Sequence, residues 1–266
     1  SKMRVFITIC TSDSYVPGVL ALNRSLKAVE SRYPLYLLTT SQLSDTSLTQ
    51  IKGEGIEVLF DAPITPGAYV RHQNEINGSP NWNNTFFKLR IFGLTQFDKL
   101  IYLDSDMIVA ANIDYLFDKP HMSAVAAGRG FNPTWRQLNS GLMVIEPDRQ
   151  MMDDLLKLVT DEPDPGMLNG QGIGDQDIIN WYYRTWPENE WLHLPETYNQ
   201  FVTLIPEYLR SGLLDSFADI KVIHFVGKVK PWAYKSREYL HALARAVRYR
   251  SLKEFRAISL FKELLG

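Results

Sequence analysis

Cysteine is nearly missing from this chain of 266 residues: Cys10 stands alone, so no intramolecular disulfide can form. The fold is therefore expected to rest on core packing, in a reducing, cytoplasmic compartment. Net charge is equally small. With 28 Lys and Arg against 30 Asp and Glu, the balance of −2 supplies no general attraction to nucleic acid. Long apolar runs are absent too, since none approaches the roughly 18 residues of a membrane span, and the opening "SKMRVFITIC" has no secretory-signal pattern. Internal repeats and low-complexity tracts are missing. What is present is a 45% hydrophobic content over a length that suits one large α/β domain with an appendage.

Short apolar runs at 5–10, 35–39, 56–60 and 100–103 are rich in β-branched or aromatic residues, as in strands buried on both faces. Between them lie helix-like stretches, "VPGVLALNRSLKAVE", "TSLTQIKGEG" and "TFFKLRIFGLTQ". This alternation predicts a parallel, doubly wound half. "NSGLMVIEP" and "IKVIHFV" read as later strands, with "RQMMDDLLKLV" and "DQDIINWYYR" as helices, so a mixed sheet is expected. Two aperiodic stretches rich in Pro, Gly and Asn, 62–84 and 161–174, read as long functional loops. A boundary is expected at 234, dividing a domain at 1–234 from a basic amphipathic helix at 235–266. That helix carries eight Lys or Arg against three Glu, a pattern that fits packing on its own domain or peripheral contact with an anionic membrane surface.

"KLIYLDSDMIVAANIDYLF" places two carboxylates, Asp104 and Asp106, directly after an apolar run. Charges at the end of a buried strand need a partner. Ligands of open α/β sheets collect at the carboxyl ends of strands, and two carboxylates one residue apart can share Mg²⁺ or Mn²⁺ with a bound phosphate. Two enzyme classes place such a pair after a strand: phosphatases of the haloacid-dehalogenase type, usually after the first strand, and nucleotide-sugar glycosyltransferases. Here it follows about the fourth strand, which favours the second. "VIHFVGKVKPW" adds His224 as a third ligand, Gly227 for close backbone approach, and Lys228 or Lys230 to neutralise a diphosphate.

"FITICTSDSYVPGVLALNRSL", "FFKLRIFGLTQFDKLIYLDSDMIVAANIDYLF", "NSGLMVIEP", "GDQDIIN" and "HFVGKVKPW", in that order, resemble successive blocks of glycosyltransferase family 8, closest to its glycogenin and galactinol synthase branch. The resemblance implies a GT-A fold, with a Rossmann-like nucleotide-binding half and a mixed central sheet. It also implies a retaining, Mn²⁺-dependent transfer of a hexosyl unit from a UDP-sugar, with Mg²⁺ as the alternative metal. By position it implies that Asp104, Asp106 and His224 bind the metal and that Thr8, Thr11 and Tyr15 cradle uridine. Ser105 would meet the ribose, and Gly227 and Lys230 the diphosphate. Asn139 and Ser140 would contact the sugar, with Lys88, Asp175 and Gln176 as the catalytic groups.

The chain departs from glycogenin where that branch glucosylates its own tyrosine: counted from Tyr198-Asn199, the position is Pro206, with Tyr208 two residues on. A separate acceptor, a small polyol or a saccharide, is therefore expected. The oligomeric state is open, a homodimer included. Trp135, Trp181, Trp186 and Trp232 are candidates for stacking on sugar faces. The alternative readings are a non-catalytic UDP-sugar-binding protein and an aspartate-dependent metal phosphatase.

Overall fold

The computed structural model describes residues 3–161 and 171–266. Strands form where the apolar runs fall. β1 (Met3–Ile9), β2 (Leu35–Thr39), β3 (Glu57–Phe60) and β4 (Phe97–Leu103) run parallel, with α1 (Val16–Ala28), α2 (Asp45–Gly53) and α3 (Ala68–Ile76) between them in sequence. β5 (Met107–Val109) leaves this sheet. β7 (Asn139–Ile145) pairs antiparallel with β4, and β6 (Ala124–Val125) antiparallel with β7, giving the order β3-β2-β1-β4-β7-β6. The expected mixed sheet is thus present.

Alternation along the central strands separates two cores. Leu100 and Tyr102 of β4 pack with Met143 and Ile145 against α4 (Arg149–Thr160) and α5 (Asp175–Tyr182). Ile101 and Leu103 pack with Phe6 and Leu142 against α1. Both faces of β4 are covered, which is why its sequence reads as a continuous apolar run.

A small second sheet carries the site's far wall. β5 pairs antiparallel with β9 (Val222–His224), which pairs parallel with the short β8 (Gln200–Phe201). α6 (Ile205–Ser211) lies between β8 and β9 in sequence. A third core of Val125, Phe201, Ile205, Ile223, Phe225 and Phe261 packs around this sheet.

The structure departs from the sequence reading in three places. The 62–84 stretch is not all loop, because α3 buries Val70 and Asn74 one turn apart, and Asn74 Nδ2 donates to the Ile173 carbonyl at 3.0 Å. "TFFKLRIFGLTQ" forms a 3₁₀ stretch at Phe86–Gly93, with five buried apolar residues rather than one helical stripe. The single basic helix expected at 235–266 is two helices, α7 (Ser236–Tyr249) and α8 (Lys253–Leu265), because Arg250 turns left-handed at φ 54°. Arg245 grips the buried Glu254 through two bonds of 2.8 and 2.6 Å across that turn. Phe261 of α8 packs on Phe225 and Trp232, so α8 belongs to the third core. Of the 161–174 stretch, residues 162–170 lie outside the described residues. Among the described residues no helix is long and apolar enough to cross a membrane.

Candidate active site

Asp104 and Asp106 emerge where β4 ends, at the carboxyl edge of the parallel strands. Their turn is pinned from both sides. The Asp104 N–H donates to the Gly141 carbonyl of β7 at 2.9 Å, and α1 sits directly on Ser105, so close that a Cβ on Gly18 would lie 1.9 Å from the Ser105 carbonyl oxygen. The β5–β9 register sets Met107 opposite His224, and this brings the imidazole beside Asp106 across 118 positions of sequence. His224 Nε2 lies 3.1 Å from Asp106 Oδ1 and 3.7 Å from Asp104 Oδ2.

A chain of hydrogen bonds decides which nitrogen of His224 carries the proton. The Gly141 N–H donates to Asn139 Oδ1 at 2.9 Å, fixing that amide. Asn139 Oδ1 therefore also accepts from Asn199 Nδ2 at 2.9 Å, which turns Asn199 Oδ1 toward His224 Nδ1 at 2.8 Å. Nδ1 must then be the donor, so the neutral ring presents its Nε2 lone pair to the aspartates. Asp106 Oδ1 is buried and, among the described residues, has no hydrogen-bond partner. One atom from each of Asp104, Asp106 and His224 converges within 4.8 Å. Three facing lone pairs, one of them orphaned, are the donor set of a hard or borderline divalent cation, so the residues fit a metal. Gly141 leaves room for them, since a Cβ there would lie 2.9 Å from His224 Cε1 and 3.2 Å from Asp104 Oδ2.

Two ammonium groups answer the carboxylates from outside this cluster. Lys88, on the 3₁₀ stretch, reaches Asp104 Oδ1 at 2.9 Å, Asp175 Oδ2 at 3.2 Å and Ser140 Oγ at 3.2 Å. Lys230 reaches Asp106 Oδ2 at 2.7 Å. Burial alone would lower the Lys88 ammonium, but Asp104 and Asp175 hold it above its ordinary range. Burial would likewise raise the Asp106 carboxyl, and the charge of a His224 ring protonated on both nitrogens, with Lys230, outweighs this and holds it well below the usual carboxylate range; the neutral ring, with Nε2 bare, is the form that can bind a metal. Tyr102 donates to Asp104 Oδ1 at 2.6 Å, its own hydroxyl kept protonated by burial and by that carboxylate. With His224 neutral, three carboxylates against two ammoniums leave one negative charge at the cluster.

The structure brings together Asp104, Asp106, His224, Lys230, Lys88, Ser140, Asp175 and Gln176. Gln176 Oε1 accepts from the Ser140 N–H at 3.0 Å. Asp175 is free for Lys88 because Asp177 takes the helix terminus, accepting from the Gly174 N–H at 2.8 Å. Asn139 is turned into the wall of the site rather than outward through its oxygen. Gly227 adopts φ 116° beside Lys230, a conformation that favours glycine. Thr8 is fully buried within β1, its hydroxyl without a hydrogen-bond partner among the described residues, so Thr11 and Tyr15 are the open members of the expected nucleotide segment. Tyr15 meets Trp232 edge to face at 5.6 Å. A cavity of about 280 Å³ beside Thr11 is lined by Thr40, Gln42, Arg71 and Asn84 among others.

Sequence reasoning missed Asn199 and Tyr102, whose roles come from contacts across the fold rather than from any local pattern. Trp82, 41% exposed and packed against Gly172, is a further aromatic that it did not single out. Trp186 is a core residue donating to the Met122 carbonyl, and Trp232 stacks on Phe261. Tyr208 is 2% exposed, and its hydroxyl donates to Glu196 and accepts from the Gly130 N–H.

The fold is that of GT-A glycosyltransferases. Solved structures with the same architecture include the galactosyltransferase LgtC in complex with donor and acceptor sugar analogues, at TM-score 0.57 and 15% identity, covering 99% of this chain and 95% of that one. The apo-form glycosyltransferase GlyE of Streptococcus pneumoniae matches at TM-score 0.57 and 18% identity, over 98% of this chain and 63% of that one. The sequence then narrows the class: residues 6–236 match the model of glycosyl transferase family 8, and the chain belongs to that family. Glycogenin-1 of Oryctolagus cuniculus is 33% identical over 237 residues, and glycogenin-1 of Homo sapiens 34% over 236, each match covering 87% of this chain. The chain spans 66% and 63% of the length of those two relatives.

Proposed function

We propose that this chain transfers a hexosyl unit from a UDP-sugar, UDP-glucose or UDP-galactose, to the hydroxyl of a separate polyol or saccharide, with retention of the anomeric configuration. The observation that carries the reading is the convergence of Asp104, Asp106 and His224, its Nδ1 held by Asn199, at the carboxyl edge of the parallel strands. A divalent cation held there, Mn²⁺ in this reading, supplies positive charge against the diphosphate of the donor. The remaining chemistry falls to the protein's own groups. Lys230, delivered by the Gly227 turn, is the cation nearest the metal ligands and suits the leaving diphosphate. Lys88 couples the metal side of the site to Asp175, and Ser140 and Gln176 complete the wall facing the sugar.

Retention requires the acceptor to attack the face from which UDP departs. Asp175 and Gln176 are the nearest groups that could act as nucleophile, and both are already engaged, by Lys88 and by the Ser140 N–H. These contacts favour front-face attack without a covalent intermediate in this reading. Asp175→Asn and Gln176→Ala are each expected to lower turnover by less than the roughly 10⁴-fold that loss of a nucleophile brings. A covalent sugar trapped on either residue would overturn this assignment.

The acceptor is separate because the position expected for self-modification is Pro206, at the start of α6, and the neighbouring Tyr208 hydroxyl is buried in two hydrogen bonds. The test is UDP release from each UDP-sugar with Mn²⁺, with and without polyols and saccharides, read by mass spectrometry of both acceptor and protein. Acceptor-stimulated UDP release with no mass added to the chain is the expected result. Tight donor binding with no release across the panel would make the chain a UDP-sugar-binding protein. Phosphate freed from simple phosphoesters would make it a phosphatase.

A further inference from the structure

α7 turns an apolar face to solvent. Leu240, Leu243 and Val247 are 63, 48 and 72% exposed, and Leu252, just beyond the helix, is 68% exposed. At the 100° per residue of an α-helix these three helical positions fall with Ala244 in one stripe about 100° wide. The inward side is Ala242 and Ala246, packed against the protein. Single exposed leucines are ordinary on a soluble surface, whereas a continuous stripe marks a surface that meets something.

Cations border the stripe. Arg237 and Arg248 run along one edge, and on the other Lys262 of α8 lies 4.6 Å over the Tyr239 ring. Arg250 and Lys253 flank Leu252. The carboxylates of α7 and α8 are turned away: Glu238, the only one on α7, lies on the opposite side, Glu254 is buried under Arg245, and Glu263 sits 3.8 Å from Arg256, while Glu207 of α6, which accepts from Tyr249 Oη at 2.8 Å, lines the cavity beside Arg248.

We propose that this face of α7 docks on an anionic lipid surface, with Leu240, Leu243, Val247 and Leu252 entering the interfacial layer and the bordering cations meeting lipid phosphates. Charge selects this occupant. A second copy packed face to face would set the same cations against each other, whereas an anionic leaflet attracts every one of them. Arginine and lysine also suit the border, since their stems lie along acyl surface while their heads stay hydrated. Leu240, Leu243 and Val247 face away from the three cores, so the fold does not need them where they are.

The test uses the chain with vesicles of phosphatidylcholine alone and with about 30 mol % phosphatidylserine at about 0.1 M salt. At least tenfold more protein is expected to float with the anionic vesicles. Leu240→Glu with Leu243→Glu and Val247→Glu is expected to abolish binding, and Arg237→Glu with Arg248→Glu to weaken it at least fivefold, with thermal unfolding unchanged. Should the triple variant unfold early, the arginine pair on the solvated border carries the test alone. Equal recovery with the two vesicle types, no flotation, or undiminished binding by the variants would each overturn the proposal. So would light scattering that shows a wild-type dimer split to monomers by the leucine changes, which would make the stripe a self-association face.

Discussion

Among single residues, Asn199 decides which nitrogen of His224 faces the aspartates, and it does so without touching them. Groups in this position around metal ligands commonly contribute 10- to 100-fold in affinity. Asn199→Ala is therefore expected to weaken Mn²⁺ binding by about that factor, and Asp106→Asn to remove it. Both are read from thermal unfolding: at about 100 times the dissociation constant, bound metal adds roughly 2.7 kcal/mol, several degrees in Tm for a domain of this size. An Asn199→Ala protein that responds to Mn²⁺ like the wild type would show that the tautomer is set some other way. Lys88 offers a second residue-scale prediction. Lys88→Met leaves Asp104 and Asp175 without the ammonium between them, and turnover of the UDP-sugar is expected to fall at least about 100-fold. A loss of less than tenfold would reduce Lys88 to a structural role.

At the scale of elements, the site depends on how α1 meets the end of β4. Gly18 allows the helix to rest on the Ser105 carbonyl, and a methyl group there, 1.9 Å from that oxygen, has to displace the whole Asp104–Asp106 turn. Ser25, two turns along α1, accepts from the Val109 N–H at 2.9 Å and holds the other end of the same segment. Gly18→Ala is thus expected to cost about 1 to 3 kcal/mol of stability by overpacking, and to lower catalysis far more than that loss of folded protein explains. Urea unfolding beside steady-state rates separates the two effects. Unchanged rates in the folded variant would mean that the aspartate turn tolerates the shift. α8 works in the same way from the other side, as Arg24 of α1 donates to the Leu264 carbonyl at 2.9 Å and Phe261 braces Trp232 beneath Tyr15.

For the molecule as a whole, alkaline pH tests how closely the β1 end is sealed. Cys10 is buried and, because burial disfavours its thiolate, its thiol is pushed up to about 11. A raised value means that the folded state holds the proton more tightly. The resulting stability, on the order of 3 kcal/mol, is present below the unfolded value of about 8.5 and is lost as pH rises toward 11. Urea midpoints are expected to drop between pH 8 and 10.5, and Cys10→Ala to flatten that drop. An identical slope in the variant would assign it to other groups. The same molecule shows how far its sequence could be read alone. The parallel strands and the turn at Asp104 and Asp106 were legible, because apolar runs and strand ends are local patterns, whereas the expectation that His224 and Lys230 meet that turn leaned on the family resemblance. α3 was not, since its buried face is anchored by Asn74 to Ile173, and neither was the break at Arg250, which no glycine announces. Sequence by itself thus determined which residue types stand at strand ends and what chemistry they permit. Only the tertiary structure decided which of them meet, because register, the tautomer of His224 and the closeness of α1 to Ser105 arise from contacts between positions far apart in the chain.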